Sequence, residues 1–217
     1  TNTYTGVTTI NAGTISVGTI GNGGAAGNLG QATNASTNIV LGGGTLKYTG
    51  STATSDRAFT ITAGTTGTID VPTGVTLTLA GATGTTTTGA LTKTNSGTLN
   101  LSGVNTYTGT TTISAGTLAI TGSGSLNSGS YAGSIVDNAT FIYSSSATQT
   151  LSGVISGTGA LTKDTDTSSV LTLSNTNTYT GVTTINAGTI SVGTIGNGGA
   201  AGNLGQATNA STNIVLG

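Results

Sequence analysis

Short runs in which apolar and hydroxyl-bearing residues alternate dominate the pattern of this chain. The clearest runs are VTLTLA (75–80), TLNL (98–101), TTTI (110–113), TLAI (117–120) and VLTL (170–173). A period of two sends Val, Leu and Ile to one face and Thr to the other, which predicts half-buried β-strands. Clusters of Gly, Asn and Ser interrupt the runs and predict turns. Glu and Met are absent, so we expect little or no helix.

A long repeat organises the whole chain. Residues 1–42 recur without a single change at 176–217, an offset of 175 residues. The identity extends through the loop sequence GNGGAAGNLGQATNAS, where ordinary divergent repeats would differ. We therefore predict one full unit at 1–175, followed at 176–217 by the start of the next, with no linker between them.

A shorter repeat lies inside the unit. The phrase NTYTG-x-TTI-x-AGT-[IL] begins at Asn2, Asn105 and Asn177. With weaker echoes such as GGTLKYT, it divides the unit into about seven pieces of roughly 20–30 residues, the length of a solenoid repeat. No piece that short buries its own core, so neighbouring pieces must shield one another.

The choice of small residues indicates which all-β fold this is. The chain has only six Tyr, two Phe and no Trp, whereas a globular sandwich or barrel of this size usually needs large aromatic core residues. A narrow core of Val, Ile, Leu and Ala suits thin stacked coils. We predict an all-β parallel β-helix (β-solenoid) of roughly 7–9 coils per unit, about 34–43 Å long at about 4.8 Å per coil.

Composition narrows the function classes. Only 4% of the residues are charged, and the net charge is -1. Four scattered cations cannot neutralise a phosphate track, which excludes a nucleic-acid binder. No apolar run approaches the roughly 20 residues that span a bilayer. Cys is absent, so disulfides and thiolate metal sites are excluded, and nothing in the sequence calls for a cofactor.

One segment resembles a known family. The sequence GALTKTNSGTLNLSGVNTYTGTTTISAGTLAI (89–120) is similar to the autotransporter passenger-associated repeat, and 159–192 and 1–17 resemble it too. Residues 43–81 look like the passenger segment that often precedes this repeat. The resemblance implies a right-handed parallel β-helix at the surface of a Gram-negative-type bacterium. It also implies that the repeat is scaffold, with activity residing in loops or inserted domains.

Few residues offer chemistry. Asp164 and Asp166 in KDTDTS are weak metal-ligand or catalytic candidates, because a D-x-D pair supplies too few of the six to eight oxygens that Ca²⁺ takes. The default interpretation is a solvated turn beside Lys163. For Asp56 and Arg57 the default is a local surface pair or turn.

The NTYTG phrase and the Gly-rich loop are the remaining candidates. The tyrosines of the NTYTG phrase are either an aromatic platform for sugars or, as we favour, packing corners of the solenoid. The residues of this structural motif are Tyr4, Gly6, Tyr107, Gly109, Tyr179 and Gly181. The loop GNGGAAGNLG (21–30 and 196–205) lacks the GK[ST] ending of a phosphate loop. We expect it to be flexible, to project from one coil and to offer adhesive contacts.

The sequence thus predicts a non-enzymatic, extracellular rod that serves as a surface stalk, fibre or filament. Its expected partners are other copies of itself, by end-to-end stacking or tandem units, and a host or neighbouring cell surface. The alternatives are a loop-mediated adhesin module, a carbohydrate-active enzyme that uses Asp164 or Asp166, and an ice-binding solenoid with Thr ladders such as TTTT (85–88).

Overall fold

Parallel strands on three sides of a coiled chain make up the computed structural model, which describes residues 1–84, 86–165 and 167–217. Side 1 comprises β1 (Thr8–Ile10), β3 (Ile39–Leu41), β6 (Thr60–Ile61), β11 (Val104–Asn105), β14 (Ser125–Leu126), β15 (Ser130–Tyr131), β18 (Gln149–Leu151), β21 (Val170–Leu173) and β23 (Thr189–Val192). Side 2 comprises β2 (Thr14–Val17), β4 (Thr45–Tyr48), β7 (Thr66–Asp70), β9 (Ala90–Thr94), β12 (Thr111–Ile113), β16 (Ile135–Asp137) and β19 (Ile155–Ser156). Side 3 comprises β5 (Ala53–Ser55), β8 (Thr76–Leu79), β10 (Thr98–Leu101), β13 (Thr117–Gly122), β17 (Thr140–Ser145), β20 (Ala160–Lys163), β22 (Thr183–Ile185) and β24 (Ile214–Leu216).

The chain visits the three sides in the same order in every coil. It runs from β3 to β4 to β5, and the next coil, β6 to β7 to β8, lies directly above and pairs with the first on each side. Every pairing between these strands is parallel. This confirms the predicted β-solenoid. The only helical segments within the described ranges are the single 3-10 turns Ser36–Asn38 and Asn127–Gly129.

Identical registers from coil to coil stack like side chains in columns. On side 3, Leu77, Leu99, Leu118, Phe141 and Leu161 are successive partners. All of them are buried. One of the alternating outward columns carries Thr at four successive coils, as the period-two pattern predicts, whereas the other contains Thr78, Asn100, Ala119 and Ile142. Burial of these columns along the whole stack gives one continuous apolar core.

The 175-residue unit is not a whole number of coils. Thr8–Ile10 forms β1 on side 1, whereas the identical residues Thr183–Ile185 form β22 on side 3. Counting along the chain, β22 is 23 sides beyond β1 when β14 and β15 count as one side and three stretches without a named strand count as one side each: residues 18–37 on side 3, the stretch that pairs with Tyr107 through Thr87 on side 1, and residues 177–180 on side 2. At three sides per coil, 23 sides are seven and two-thirds coils. The value lies within the predicted range of 7–9 coils per unit.

No helix in the described part of the chain is long and apolar enough to cross a bilayer.

Candidate functional site

The first copy of the Gly-rich loop, residues 18–37, is an ordered part of the solenoid. Its backbone lies on the segment below, where the Gln31 amide donates to the Tyr4 carbonyl at 2.7 Å. The Asn28 side chain closes the start of the loop by accepting hydrogen bonds from the Gly18 and Thr19 amides, both at 2.9 Å. Its tip, residues 24–26, is exposed, as are residues 33–35. The structure therefore differs from the flexible projection expected from composition, because Ile20, Leu29 and Ala32 insert into the core.

The corner at residues 55–57 packs on top of this first loop. Arg57 is only 1% exposed, and its Nη2 donates to the Gly30 carbonyl at 3.0 Å and to the Ala25 carbonyl at 3.4 Å. The Asp56 carboxylate accepts the Gly23 amide at 2.7 Å. The Ser55 hydroxyl donates to the Gly21 carbonyl at 2.5 Å. The interpretation of Arg57 as a surface residue is thus wrong, because loop carbonyls with no partner in their own coil accept its hydrogen bonds.

The second copy of the loop, residues 193–212, keeps the same internal bonds. Asn203 accepts from the Gly193 and Thr194 amides at 2.8 and 2.7 Å, and the Gln206 amide donates to the Tyr179 carbonyl at 2.7 Å. A cavity of about 260 Å³ lies between its two arms, lined by residues such as Leu204, Asn209 and Ile214.

The two loop copies differ in what covers them. Ile195 is 69% exposed, whereas the identical Ile20 is 2% exposed. Leu216 is 76% exposed, whereas the identical Leu41 is fully buried. Because the sequences are the same, the coil stacked above the first copy accounts for the difference.

The tyrosines of the three NTYTG phrases share one local hydrogen bond. Each hydroxyl meets the Thr hydroxyl four residues later, at 2.7 Å for Tyr4, 3.1 Å for Tyr107 and 2.7 Å for Tyr179. Tyr107 and Tyr179 are buried and Tyr4 is 42% exposed. A sugar platform needs an exposed ring face, which the two buried tyrosines do not provide.

The glycines of the same phrases differ in their surroundings. A Cβ atom at Gly109 would collide with the Gly89 carbonyl, and one at Gly181 would collide with the Gly159 carbonyl. At Gly6 a Cβ atom would meet nothing within 4 Å. The contact therefore comes from the neighbouring coil and not from the phrase itself.

The acidic candidates are not brought together with other ligands. Asp164 is half-buried, and its Oδ1 accepts the Thr165 amide at 2.7 Å within a turn. Asp166 lies outside the described residues. Among the residues that the structure describes, no group of three or more His, Cys, Asp and Glu side chains could hold a metal ion.

Three ionisable residues occupy inward positions that the sequence analysis missed. Lys93 and Asp137 belong to the side 2 column that also contains Ile69 and Ile113. Lys163 lies in the corresponding column of side 3, below Ile185. All three are buried. The period-two pattern of ALTK places Lys on the same face as Leu, which is the signal that could have found both lysines.

The buried lysines bond to the backbone. Lys93 Nζ donates to the Thr94 and Asn95 carbonyls, both at 2.7 Å, and to the Ala115 carbonyl of the next coil at 3.3 Å. Burial lowers the pKa of Lys93 to about 8, and the negative charge of Asp70 partly opposes this shift by raising the pKa. These bonds link neighbouring coils at a turn.

Asp137 gives a testable pH dependence. Burial raises its pKa to about 6, although its carboxylate accepts the Ala139 amide at 3.1 Å. Between about pH 4 and pH 6 the folded chain therefore holds a proton that the unfolded chain has lost, so stability falls as pH rises. A tenfold change in proton affinity is worth about 1.4 kcal/mol. We expect a fall on the order of 2 kcal/mol, measured by urea denaturation at each pH.

The matched variant is Asp137→Asn, which keeps an oxygen acceptor for the Ala139 amide. We expect it to be more stable than the wild-type chain at pH 7 and to lack the fall between pH 4 and pH 6. If the free energy of unfolding falls equally with pH in the two chains, Asp137 does not titrate between pH 4 and pH 6.

Comparisons with known proteins agree with this architecture. The family model of the passenger-associated-transport-repeat matches residues 1–17, 91–120 and 168–192. The chain is 39% identical, over an alignment of 245 residues, to an adhesin BmaC autotransporter of Brucella suis biovar 1 (strain 1330). The alignment covers 99% of this chain and 7% of that relative. No solved structure matches the chain.

The chain is thus a parallel β-solenoid that contains three segments of the passenger-associated-transport-repeat. This confirms the resemblance found in the sequence. The three matched segments contain the NTYTG phrases, with their Tyr–Thr hydrogen bonds and the strands that follow them.

Proposed function

We propose that this chain is the rod-forming segment of an extracellular, adhesin-like surface protein of a Gram-negative bacterium, acting as a stalk without catalysis. The observation that carries the proposal is the stack of parallel strands, which is continuous from β2 to β19 on side 2 and from β5 to β24 on side 3, around one apolar core that extends from Ile10 to Tyr179. A rod held by backbone ladders and neutral hydroxyls depends little on salt. The relative's description as an adhesin autotransporter supports placing this chain in an extracellular surface protein.

Rod length is the direct test. Each added 175-residue unit brings seven and two-thirds coils, or about 37 Å at about 4.8 Å per coil. Chains with one, two and three units should show this increment in small-angle scattering or electron microscopy, with a constant cross-section. A chain that grows in diameter, or that forms separate beads, would contradict the proposal.

Stacking of further units is supported by the two loop copies. The corner at residues 55–57 covers the first copy, and a second copy of the segment 43–61 has the shape and bonding groups to cover the loop 193–212 in the same way. The exposed strand Ile214–Leu216 would gain a parallel partner, as Ile39–Leu41 does from Thr60–Ile61. Whether the covering copy lies in the same chain or in another, the contacts are the same.

A trans-complementation experiment tests this contact. The fragment 43–175 begins with the coil that covers the first loop, so we expect it to bind the 1–217 chain and to protect Ile195 and Leu216 from hydrogen exchange. The same fragment with Arg57→Ala should bind at least tenfold more weakly. Protection confined to residues far from 193–216 would contradict the stacking proposal.

Adhesion through the loop tip is a second candidate function. The tips at 24–26 and 199–201 are identical, uncharged and largely exposed. A double variant, Ala25→Lys with Ala200→Lys, adds charge at both tips. We expect beads coated with the wild-type chain to bind cells, and beads coated with the variant to lose most of that binding, with unchanged circular dichroism. Loss of the strand signal would mean that the tip belongs to the fold instead.

The two remaining alternatives have less support. An enzyme would depend on Asp164 and Asp166, and Asp164 is engaged in its own turn. An ice-binding face needs paired Thr columns. Side 3 has one such column (Thr76, Thr98, Thr117 and Thr140), whereas the column beside it contains Thr78, Asn100, Ala119 and Ile142. Of the TTTT segment, Thr85 lies outside the described residues.

A further inference from the structure

The identical loops emerge from different sides of the solenoid. The first copy lies below β5 and so belongs to side 3, where the corner at residues 55–57 covers it. The second copy lies above residues 177–180, which in turn lie above β19 on side 2. The same residues, with the same internal hydrogen bonds, therefore face two directions.

The fractional coil count is the physical cause. A unit of eight whole coils would contain 24 sides and would bring each loop back to the side of the previous one. This unit contains 23 sides. Each step of 175 residues therefore advances the loop by about 37 Å along the axis and leaves it one side short of alignment.

We propose that tandem units display the loop tip on a three-fold screw around the rod, so that three consecutive units present one tip on each side. The placement of the tips does not depend on the proposed adhesive role, but their use in binding surfaces rests on it. Aligned tips would all engage one flat surface. Tips on a three-fold screw instead reach surfaces on several sides of the rod, which suits a bridge between two neighbouring cell surfaces.

Both tips are accessible to one probe. Ala25 and Ala200 are exposed equivalents in the two copies. A Fab raised against a peptide of residues 18–31 recognises both loops, because residues 193–206 have the same sequence. Matched variants that carry either Ala25→Lys or Ala200→Lys remove one epitope at a time and identify which Fab is bound where.

Electron microscopy of the 1–217 chain with bound Fab tests the proposal. We expect two Fabs per chain, leaving the rod in directions about 120° apart when viewed along its axis and about 37 Å apart along it, and one Fab for each single variant. Two Fabs on the same side would overturn it. So would a single Fab on the wild-type chain when each single variant also binds one.

The result separates this inference from the adhesive role. The angle between the Fabs depends only on the number of sides per unit, so a failed cell-binding assay leaves it unchanged. If instead the Fabs are aligned while beads still bind cells, the loop is adhesive and the bridging geometry is wrong.

Discussion

Gly109→Ala should lower the free energy of unfolding by about 3 kcal/mol, the upper part of the range for overpacking a rigid site. The added Cβ would collide with the Gly89 carbonyl, and the Gly109 amide donates to that same oxygen at 3.2 Å. Backbone on both sides of the contact cannot rotate away as a side chain can. The coils would have to separate locally, which disrupts the side 1 to side 2 corner. Urea denaturation followed by circular dichroism measures the loss.

The repeated phrase supplies its own control. Gly6 occupies the same position in the first NTYTG phrase, but a Cβ there would meet nothing within 4 Å. Gly6→Ala should therefore change the free energy of unfolding by no more than about 0.5 kcal/mol, as is usual for a surface substitution. Equal losses at both sites would mean that the phrase requires Gly for a local reason and not for coil stacking.

Arg57→Ala should release the first loop. The guanidinium loses its hydrogen bonds to Gly30 and Ala25, and bonds to charged groups contribute about 1.5–3 kcal/mol each. The methylene groups of the Arg side chain also leave a gap in the packing. A loss of about 2 kcal/mol would speed hydrogen exchange of the amides in residues 18–37 by roughly 30-fold.

Two comparisons make the Arg57 result specific. Lys47→Ala removes the same charge from an exposed position of β4 and should leave exchange in the loop unchanged. The second loop, which has no such arginine above it, should exchange faster than the first in the wild-type chain and be unaffected by Arg57→Ala. Slower or unchanged hydrogen exchange in the first loop would contradict this prediction. It would show that the buried Arg57 Nε and Nη1 atoms, which have no hydrogen-bond partner among the described residues, offset the bonds that Nη2 makes.

Much of the architecture could be predicted because it is local. Alternation in VTLTLA and TLNL specifies strands with one buried face, and in the structure Leu77, Leu79, Leu99 and Leu101 all face inward. Turn residues between the runs and the small core residues favour thin coils. The resemblance of 89–120 to the passenger repeat indicated the same fold independently.

The candidate site was harder to predict because its contacts join distant residues. Arg57 contacts a loop about 30 residues earlier in the chain, and Lys93 contacts the following coil. A charged residue is assigned to the surface by default. These cations are buried because backbone carbonyls at coil corners accept hydrogen bonds from them, an arrangement that the identity of neighbouring residues does not reveal.

The sequence by itself determined the strands, their inward faces, the solenoid class and the 175-residue period, because these depend on local alternation and on identity between copies. Only the tertiary structure decided which side each strand joins and which copy of a residue is buried. Thr8–Ile10 and Thr183–Ile185 have the same sequence but lie on different sides, and Ile20 and Ile195 differ in exposure. Side and burial follow from the number of residues in every preceding coil and from the coil stacked above, neither of which is a local property.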